Sequence, residues 1–506
     1  MNWTWNLAAS AAVAWIVSIW FKYQKALARV HHLPGTRLIF NPYSPIAFML
    51  PRVKYLGVGS QYGWDFKRSI GILSGTPGYI VSNVDGIKQV FASRSTFVKH
   101  TKDYGTLNAF GPNLVATEGD QWKRMRRICA PAFSDRNNNY VWSTTTELVD
   151  EMTSNWVNDE PTVVNDICQD MTVPLGLCVI AKAGFGQDVT WADTAPPPGD
   201  HKLTFKKALS TVAQNIFLPV VLPDWAWRFS KHWMFVKEAY NEVLGYLNEM
   251  IDLRRNSRNY STPEDSDKHD LFTQLLSAHD EGDRLTTEEL IGNIFVFLIA
   301  GHETASHTLG FLLGLLALYP EEQDILLAHI EQNRPQSRDF VYEDIHKLNR
   351  VMATLYETLR LYPSIISIPK MTSEDTRMNL GAGESISIPS GTRVSVNVVG
   401  IHYNPQYWDD PFNFLPSRFL DPSWNRDAFM PFALGARSCI GKRFAETTIL
   451  ALVVRLLPKY RISVDERKFK PVPGETMVER RERFMGAGSL FTLHPQKLPL
   501  VFTPRG

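Results

Sequence analysis

One run of ten residues constrains this chain more than any other: Phe432-Ala433-Leu434-Gly435-Ala436-Arg437-Ser438-Cys439-Ile440-Gly441. It leads into an amphipathic helical pattern that ends near Leu457. Two glycines in the run let backbone come close to a flat ligand. A cysteine at the start of a helix has its thiolate favoured by the free N–H groups and the dipole. An arginine two residues earlier offers a charged fork to an acidic group of the same ligand. A thiolate with those supports suits the axial position of a haem, where it pushes electron density toward O–O cleavage. Taken singly, Cys439 would read as a buried structural cysteine; the whole run reverses that reading.

Composition narrows the rest. The 506 residues hold 53 Lys plus Arg against 52 Asp plus Glu, a net charge of +1, which makes nucleic acid a poor partner. The four cysteines, Cys129, Cys168, Cys178 and Cys439, show no CxxC spacing. A zinc site or disulfide framework is therefore not expected, and a reducing compartment is. Aromatic side chains make up 12% of the chain, which suits large apolar pockets or a membrane surface.

Met1 to Phe21 carries no charge and has Trp3, Trp5, Trp15 and Trp20 near its ends. About 20 apolar residues span a bilayer as a helix, with Trp favoured at the interfaces. Lys22, Lys25 and Arg29 follow, so the positive-inside rule places the body of the protein in the cytosol. A signal peptide would carry its positive charge before the apolar run. Pro34, Pro42, Pro45 and Pro51 then read as a stiff elbow. Although length alone suggests about three domains, the expected organisation is a single-pass transmembrane anchor over 1–21, a basic, proline-rich linker over 22–51 and one catalytic domain over 52–506.

Long helical periodicities dominate from about Leu107 to Leu361, and the TAPPPG stretch at 194–199 and the polar stretch at 256–268 read as loops. Leu290 to Leu318 is apolar enough to suggest a second span. Glu303 and two histidines sit at its middle, however, and the apolar runs at 290–300 and 309–318 are too short to cross alone. A long helix through a soluble core fits better, with Thr286 and Glu289 forming a capping box at its start. Ser385–Ile388 and Val394–Val399 flank Pro389-Ser390-Gly391 and predict a hairpin. Ser489–Leu493 and Leu498–Phe502 predict a second strand pair. The fold class is mainly α with a minor β part.

The run from Phe432 to Gly441 resembles the FxxGxRxCxG haem loop of the cytochromes P-450, and four further motifs of that family appear in its order. Trp122 with Arg126 is similar to its WxxxR helix. Ala300-Gly301-His302-Glu303-Thr304 resembles its oxygen-activating segment. Glu357-Thr358-Leu359-Arg360 resembles its ExxR motif, and Pro416-Ser417-Arg418-Phe419 its PERF motif, with Ser417 where glutamate is usual. The resemblance covers about Leu33 to Phe502.

It implies the cytochrome P-450 fold behind one N-terminal transmembrane helix, and a haem b whose iron is held by Cys439. Trp122, Arg126, Lys370, Phe432, Arg437 and Gly441 are implied to bind the cofactor, and Glu357, Arg360 and Arg418 to form a buried support for the cysteine loop. Glu303 and Thr304 are implied to relay protons to dioxygen, the co-substrate, and Gly301 to leave room for it. Electrons would come from NADPH through a membrane-bound NADPH–cytochrome P-450 reductase, with cytochrome b5 as a second donor. Lys123, Arg124, Arg127, Lys442 and Arg443 offer a basic dock for an acidic flavoprotein.

The implied location is the endoplasmic reticulum membrane, with the catalytic domain facing the cytosol. Apolar segments such as Phe217 to Phe235 fit a lid that touches the lipid bilayer and admits an apolar small molecule. The expected activity is a monooxygenase of fungal type in secondary-metabolite, terpenoid-like biosynthesis. The alternatives are a haem-thiolate isomerase or dehydratase working without reductase, a xenobiotic or fatty-acid hydroxylase, and a non-catalytic binding protein.

Overall fold

The computed structural model describes residues 2–29, 35–38, 66–71, 76–156, 160–187, 191, 197, 199–258, 270–280, 284–489 and 492–505. They form two compact units. The first comprises Met1–Asp103, Ile365–Pro411 and Asn425–Ser438; the second comprises Tyr104–Ser364, Phe412–Trp424 and Cys439–Gly506.

The first unit is built on a sheet of β1 (Gly35–Leu38), β2 (Phe66–Gly71), β3 (Thr76–Val81), β4 (Phe97–Val98), β6 (Ser367–Thr372) and β9 (Arg393–Asn397). Their order is β1-β2-β3-β9-β6-β4. It opens with helix α1 (Asn2–Arg29), 28 residues without a break, whose end packs on β2 and β3 with Ala26 buried. Along α1 the side chains of Leu7, Val13, Trp15, Ile16, Trp20 and Phe21 are exposed.

Among the described residues no helix is long and apolar enough to cross a membrane, so the structure does not support the transmembrane segment expected over 1–21. Asn2, Asn6, Ser10 and Ser18 dilute the apolar run, and the same helix carries on through Lys22, Lys25 and Arg29. Beyond Arg29, the linker expected over 22–51 lies outside the described residues except for β1. The loops expected at 194–199 and 256–268 fall largely outside them too.

The predicted hairpin around Pro389-Ser390-Gly391 does not form. Both strands exist, but β8 (Glu384–Ile388) pairs with β7 (Thr376–Gly381), while β9 lies between β3 and β6. The hairpin turn is instead Gly381-Ala382-Gly383, whose three residues all have positive φ, the left-handed backbone that tight turns need. Gly391, at φ 72°, turns the chain out of that hairpin into the larger sheet. Helix α2 (Val84–Ala92) packs on β7 and completes this unit as far as the site requires.

The second unit is mainly helical: α3 (Gly119–Cys129), α4 (Asp135–Ser154), α5 (Phe205–Gln214), α6 (Lys231–Arg258), α7 (Leu271–Asp280), α8 (Thr287–Leu318), α9 (Asn349–Leu361), α10 (Lys442–Leu456) and α11 (Met477–Met485). Its small sheets are β10 (Tyr460–Val464) beside β13 (Leu500–Pro504) beside β5 (Thr162–Val164), and the pair β11 (Gly488–Ser489) with β12 (Leu493–His494). The C-terminal strands therefore exist, but β13 pairs with β10 and β5 rather than with the segment before it.

α8 runs through the centre, as its all-round apolarity demands. Its 32 residues start at the expected capping box: Thr286 Oγ1 accepts from the Glu289 amide, and Glu289 accepts from the Thr286 amide, each at 3.1 Å. Every residue from Gly292 to Ile299 and from Thr308 to Leu316 is buried.

Candidate active site

Between those two buried stretches α8 opens. Ala300, Gly301, Glu303, Thr304 and His307 are partly accessible, while His302, Ala305 and Ser306 are buried. Spacings of three and four place the five open residues on one helix face. A core helix with one accessible stripe borders a recess, and the stripe brings Glu303 and Thr304 to its wall.

Burial pushes the Glu303 carboxyl up to about 8, and no described residue donates a hydrogen bond to it. The side chain therefore holds its proton at neutral pH. Thr304 Oγ1 donates to the Ala300 carbonyl at 2.8 Å, which commits its hydrogen and leaves its oxygen free to accept. Gly301 packs closely on the protein itself: a Cβ there would stand 2.9 Å from Ile180 Cδ1, so the glycine makes room for that side chain.

The raised carboxyl makes a pH prediction. Folded, Glu303 keeps its proton to about 8; unfolded, it loses it near the ordinary 4.5. Between those values the folded chain binds more protons than the unfolded one, so stability falls as pH rises. Glu303→Gln should match the wild type in urea near pH 5 and exceed it at pH 8 by about 3 kcal/mol. Equal differences at the two pH values would contradict a buried, proton-holding acid.

Cys439 has open surface, yet protein crowds it closely enough that desolvation pushes its thiol pKa up. Together these facts describe a sulfur on the wall of a recess, not on the outer surface. The Gly441 amide donates to the sulfur, and the charges of Arg126 and Lys442 act with it to favour the thiolate, while Glu446 opposes. α10 starts at Lys442 with Gly441 as its cap. The helix start thus supports the thiolate as the sequence suggests, but desolvation is the larger effect.

α3 supplies two more expected residues. Its pattern buries Trp122, Met125, Ile128 and Cys129 on one face and leaves the basic side chains on the other. Arg126 is half-buried, and its guanidinium lies near enough to Cys439 for each to favour the other's charge, although desolvation lowers the arginine's own pKa. The second unit therefore gathers Trp122, Arg126, Glu303, Thr304, Cys439 and Gly441. Lys370, Phe432 and Arg437 belong to the first unit. There Lys370 is buried with its Nζ 6.0 Å from the Phe91 ring, and Gly435, at φ 67°, lies against the Phe91 carbonyl.

At the end of α9 stands a buried network. Arg360 donates to Glu357 through Nε at 2.7 Å and Nη2 at 2.8 Å, and neither side chain has any exposure. Arg418 Nε and the Leu415 amide also donate to Glu357, at 3.2 and 2.9 Å. Sequence reasoning missed the next link: Tyr356 donates to Glu446 at 2.9 Å, tying α9 to the helix that follows Cys439.

It also missed how the loop before α3 is held. Gly111 and Gly292 bring two backbones together: a Cβ on Gly292 would lie 2.6 Å from the Gly111 carbonyl oxygen, and Asn293 Oδ1 accepts from the Leu114 amide at 2.9 Å. No motif signals these pairs.

The basic dock is less cationic than its sequence. Lys123 pairs with Asp120 and Arg124 with Glu289, while Lys442 and Arg443 share Glu446. An open groove of about 650 Å³ lies beside Asp120, Gln121, Lys123, Arg124 and Arg127.

A thiol at the wall of a recess, a cationic side chain beside it, and an acid–alcohol pair on a core helix fit a thiolate-ligated haem, and the class so defined is that of haem-thiolate enzymes. The chain belongs to the cytochrome P450 family, whose model, "Cytochrome P450", matches residues 72–484. It is 38% identical to cytochrome P450 monooxygenase 124 of Postia placenta, with 96% of both chains covered. It is 25% identical to the phomenoic acid biosynthesis cluster cytochrome P450 monooxygenase of Leptosphaeria maculans, covering 70% of this chain and 68% of that one. The crystal structure of the cytochrome P450DA heme domain shares the fold, with a TM-score of 0.74 at 20% identity over 93% of this chain and 98% of that one. The protein is thus an oxidoreductase of the monooxygenase family, which uses haem held by a cysteine thiolate, dioxygen and electrons from NAD(P)H.

Proposed function

We propose that this protein inserts one oxygen atom from O2 into an apolar small molecule of fungal secondary metabolism, by hydroxylation or a related oxidation. The observation that carries this reading is the open acid–alcohol face of α8 in the same unit as the walled-in Cys439. The Leptosphaeria relative, by its name, belongs to a biosynthesis cluster, which supports the metabolic setting.

Cys439 would hold the haem iron through its sulfur, with the Gly441 amide steadying that charge, and Trp122 and Arg126 would bind the propionates. On sequence resemblance, Lys370, Phe432 and Arg437 join that set. The haem supplies dioxygen activation. Glu303 holds a proton in the apolar recess, and the Thr304 hydroxyl, whose hydrogen rests on the Ala300 carbonyl, accepts from a donor and relays by releasing that hydrogen bond. Buried, acid-bearing walls exclude bulk water from the reacting carbon.

Thr304→Ala removes the hydroxyl and keeps the helix. NADPH consumption should continue while product per NADPH falls by about tenfold or more, with hydrogen peroxide released instead. Unchanged coupling with every substrate would remove the relay.

Electrons would come from NADPH–cytochrome P-450 reductase, with cytochrome b5 as a second donor, through the α3 and α10 surface. The location would be the endoplasmic reticulum membrane, with the catalytic body on the cytosolic side. Support comes from the exposed apolar side chains of α1 and from Trp225 and Phe229, 63% and 67% exposed, stacked edge to face. Neighbouring Leu218, Trp227 and Val236 form a small buried cluster that holds this patch outward. Charging both exposed rings, Trp225→Asp with Phe229→Asp, should weaken binding to phosphatidylcholine vesicles by at least about tenfold. Equal sedimentation of the variant and the wild type with vesicles would reject this contact.

A further inference from the structure

His307 is the fifth residue of the open face of α8, one helical turn beyond Glu303 and Thr304, and the proposed chemistry gives it no role. Its Nδ1 lies 2.8 Å from the Thr492 hydroxyl. Thr492 is buried and directly precedes β12, whose His494 ring centre is 5.5 Å from that of His307. Gly488, opposite on β11, makes room for this second ring: a Cβ there would stand 2.7 Å from His494 Nε2. The His307 ring is therefore held at a fixed angle.

The position of its hydrogen follows from satisfaction. A buried hydroxyl gives its hydrogen to an acceptor, and His307 Nδ1 is the described acceptor that Thr492 Oγ1 reaches. The hydroxyl donates, Nδ1 accepts, and the ring hydrogen sits on Nε2. Burial, with His494 and His302 nearby, holds the ring's pKa down to about 3, so it stays neutral. Among the described residues, no protein group accepts from Nε2. The partly accessible His307, on the same face of α8 as Ala300 and Gly301, thus carries an oriented donor that no described residue takes up.

We propose that His307 determines specificity by donating a hydrogen bond from Nε2 to an acceptor oxygen, hydroxyl or carbonyl, on the substrate. The inference rests on reading Thr304 and Cys439 as the marks of the reacting centre. Side chains three apart on a helix are about 5–6 Å apart at Cβ, so the oxygen lies about one helical turn from the carbon that is oxidised. A plain hydrocarbon would leave the Nε2 hydrogen desolvated and unpaired, which binding sites penalise. The substrate therefore arrives with that oxygen already installed, and a reaction that introduces or unmasks a hydroxyl or carbonyl precedes this one.

The test is calorimetric titration of the haem-loaded full chain with two probe sets: decalin, decalol and decalone, and cyclododecane, cyclododecanol and cyclododecanone. In at least one set the wild type should bind the alcohol and the ketone about tenfold tighter than the hydrocarbon. His307→Phe should abolish that preference while changing hydrocarbon affinity by less than about twofold, and His307→Gln, which keeps a donor, should retain most of it. No preference in the wild type, or the same preference in His307→Phe, overturns the proposal.

If His307→Phe does not fold, Thr492→Val decides. It frees Nδ1, lets the hydrogen move between the two nitrogens, and should cost the ketone more affinity than the alcohol, which can also donate. An unchanged ketone-to-alcohol ratio overturns the proposal. Calorimetry does not depend on the haem spectrum, so the two readings fail separately. A wild type lacking the red-shifted carbon-monoxide band but keeping the preference would fail the haem-thiolate assignment alone. A normal band without the preference would fail this inference alone.

Discussion

Cys439→Ala should abolish the red-shifted Soret band of the reduced carbon-monoxide complex and all monooxygenase turnover, yet leave the fold standing. Loss of function is total because the chain offers no second thiol at that place: Cys129, Cys168 and Cys178 are all buried. For Cys129 and Cys168, burial is the main cause that pushes the thiol up to about 12. The fold survives because Cys439→Ala removes one side-chain atom from a residue that keeps open surface, so few contacts are forfeited. The urea midpoint of the variant should stay within about 1 kcal/mol of the wild type. A surviving band would mean that another group holds the iron, and a collapsed fold would mean that the sulfur is structural.

Glu357→Ala has the opposite signature, a large loss of stability at a residue that touches no substrate. It strips the fully buried Arg360 of both charged hydrogen bonds and leaves the Leu415 amide without its acceptor. Breaking one side of a buried pair costs about 3–5 kcal/mol, enough to unfold many domains at physiological temperature. Arg360 keeps its bond to the neutral Asn413 carbonyl, at 3.2 Å, which does not replace the lost carboxylate. Glu357→Gln keeps an acceptor and should lose less. A denaturant midpoint for Glu357→Ala within about 1 kcal/mol of the wild type would show that Arg360 finds water.

What could be read from the sequence was what local chemistry determines. The Thr286–Glu289 box predicts the start of α8 because both hydrogen bonds close within one turn. The run ending in Cys439 and Gly441 combines residue types that few other settings require together. Partner choice was another matter. β8 and β9 are legible as strands, but their partners are decided by which edges tertiary structure leaves open, and β9 finds β3 more than three hundred residues away in sequence. The turn Gly381-Ala382-Gly383 carries the stronger hairpin signal, and Pro389 closes no hairpin.

Gly301 shows a related limit, since its family role hides a packing reason that only the position of Ile180 reveals. The Tyr356–Glu446 bond joins residues ninety apart that match no motif. For α1, charge and aromatic pattern suggested a span, whereas helix length and local apolarity are separate quantities, and here the helix continues past its apolar part.

The close approach of Gly111 and Gly292 bears on how such an enzyme changes its chemistry over generations. The loop they fasten is clamped backbone to backbone, with no side chain from either glycine at the join. Accessible positions of this loop can therefore drift, altering what it presents, while the buried Leu107 and the partly buried Phe110, which packs on Phe295 of α8, belong to the attachment. The same join cannot be rebuilt by any other amino acid on Gly292, because a single methyl group would strike two carbonyl oxygens at 2.6 Å. New substrates are thus within reach of mutations in the loop, while a mutation at its fastening would remove the loop from selection altogether.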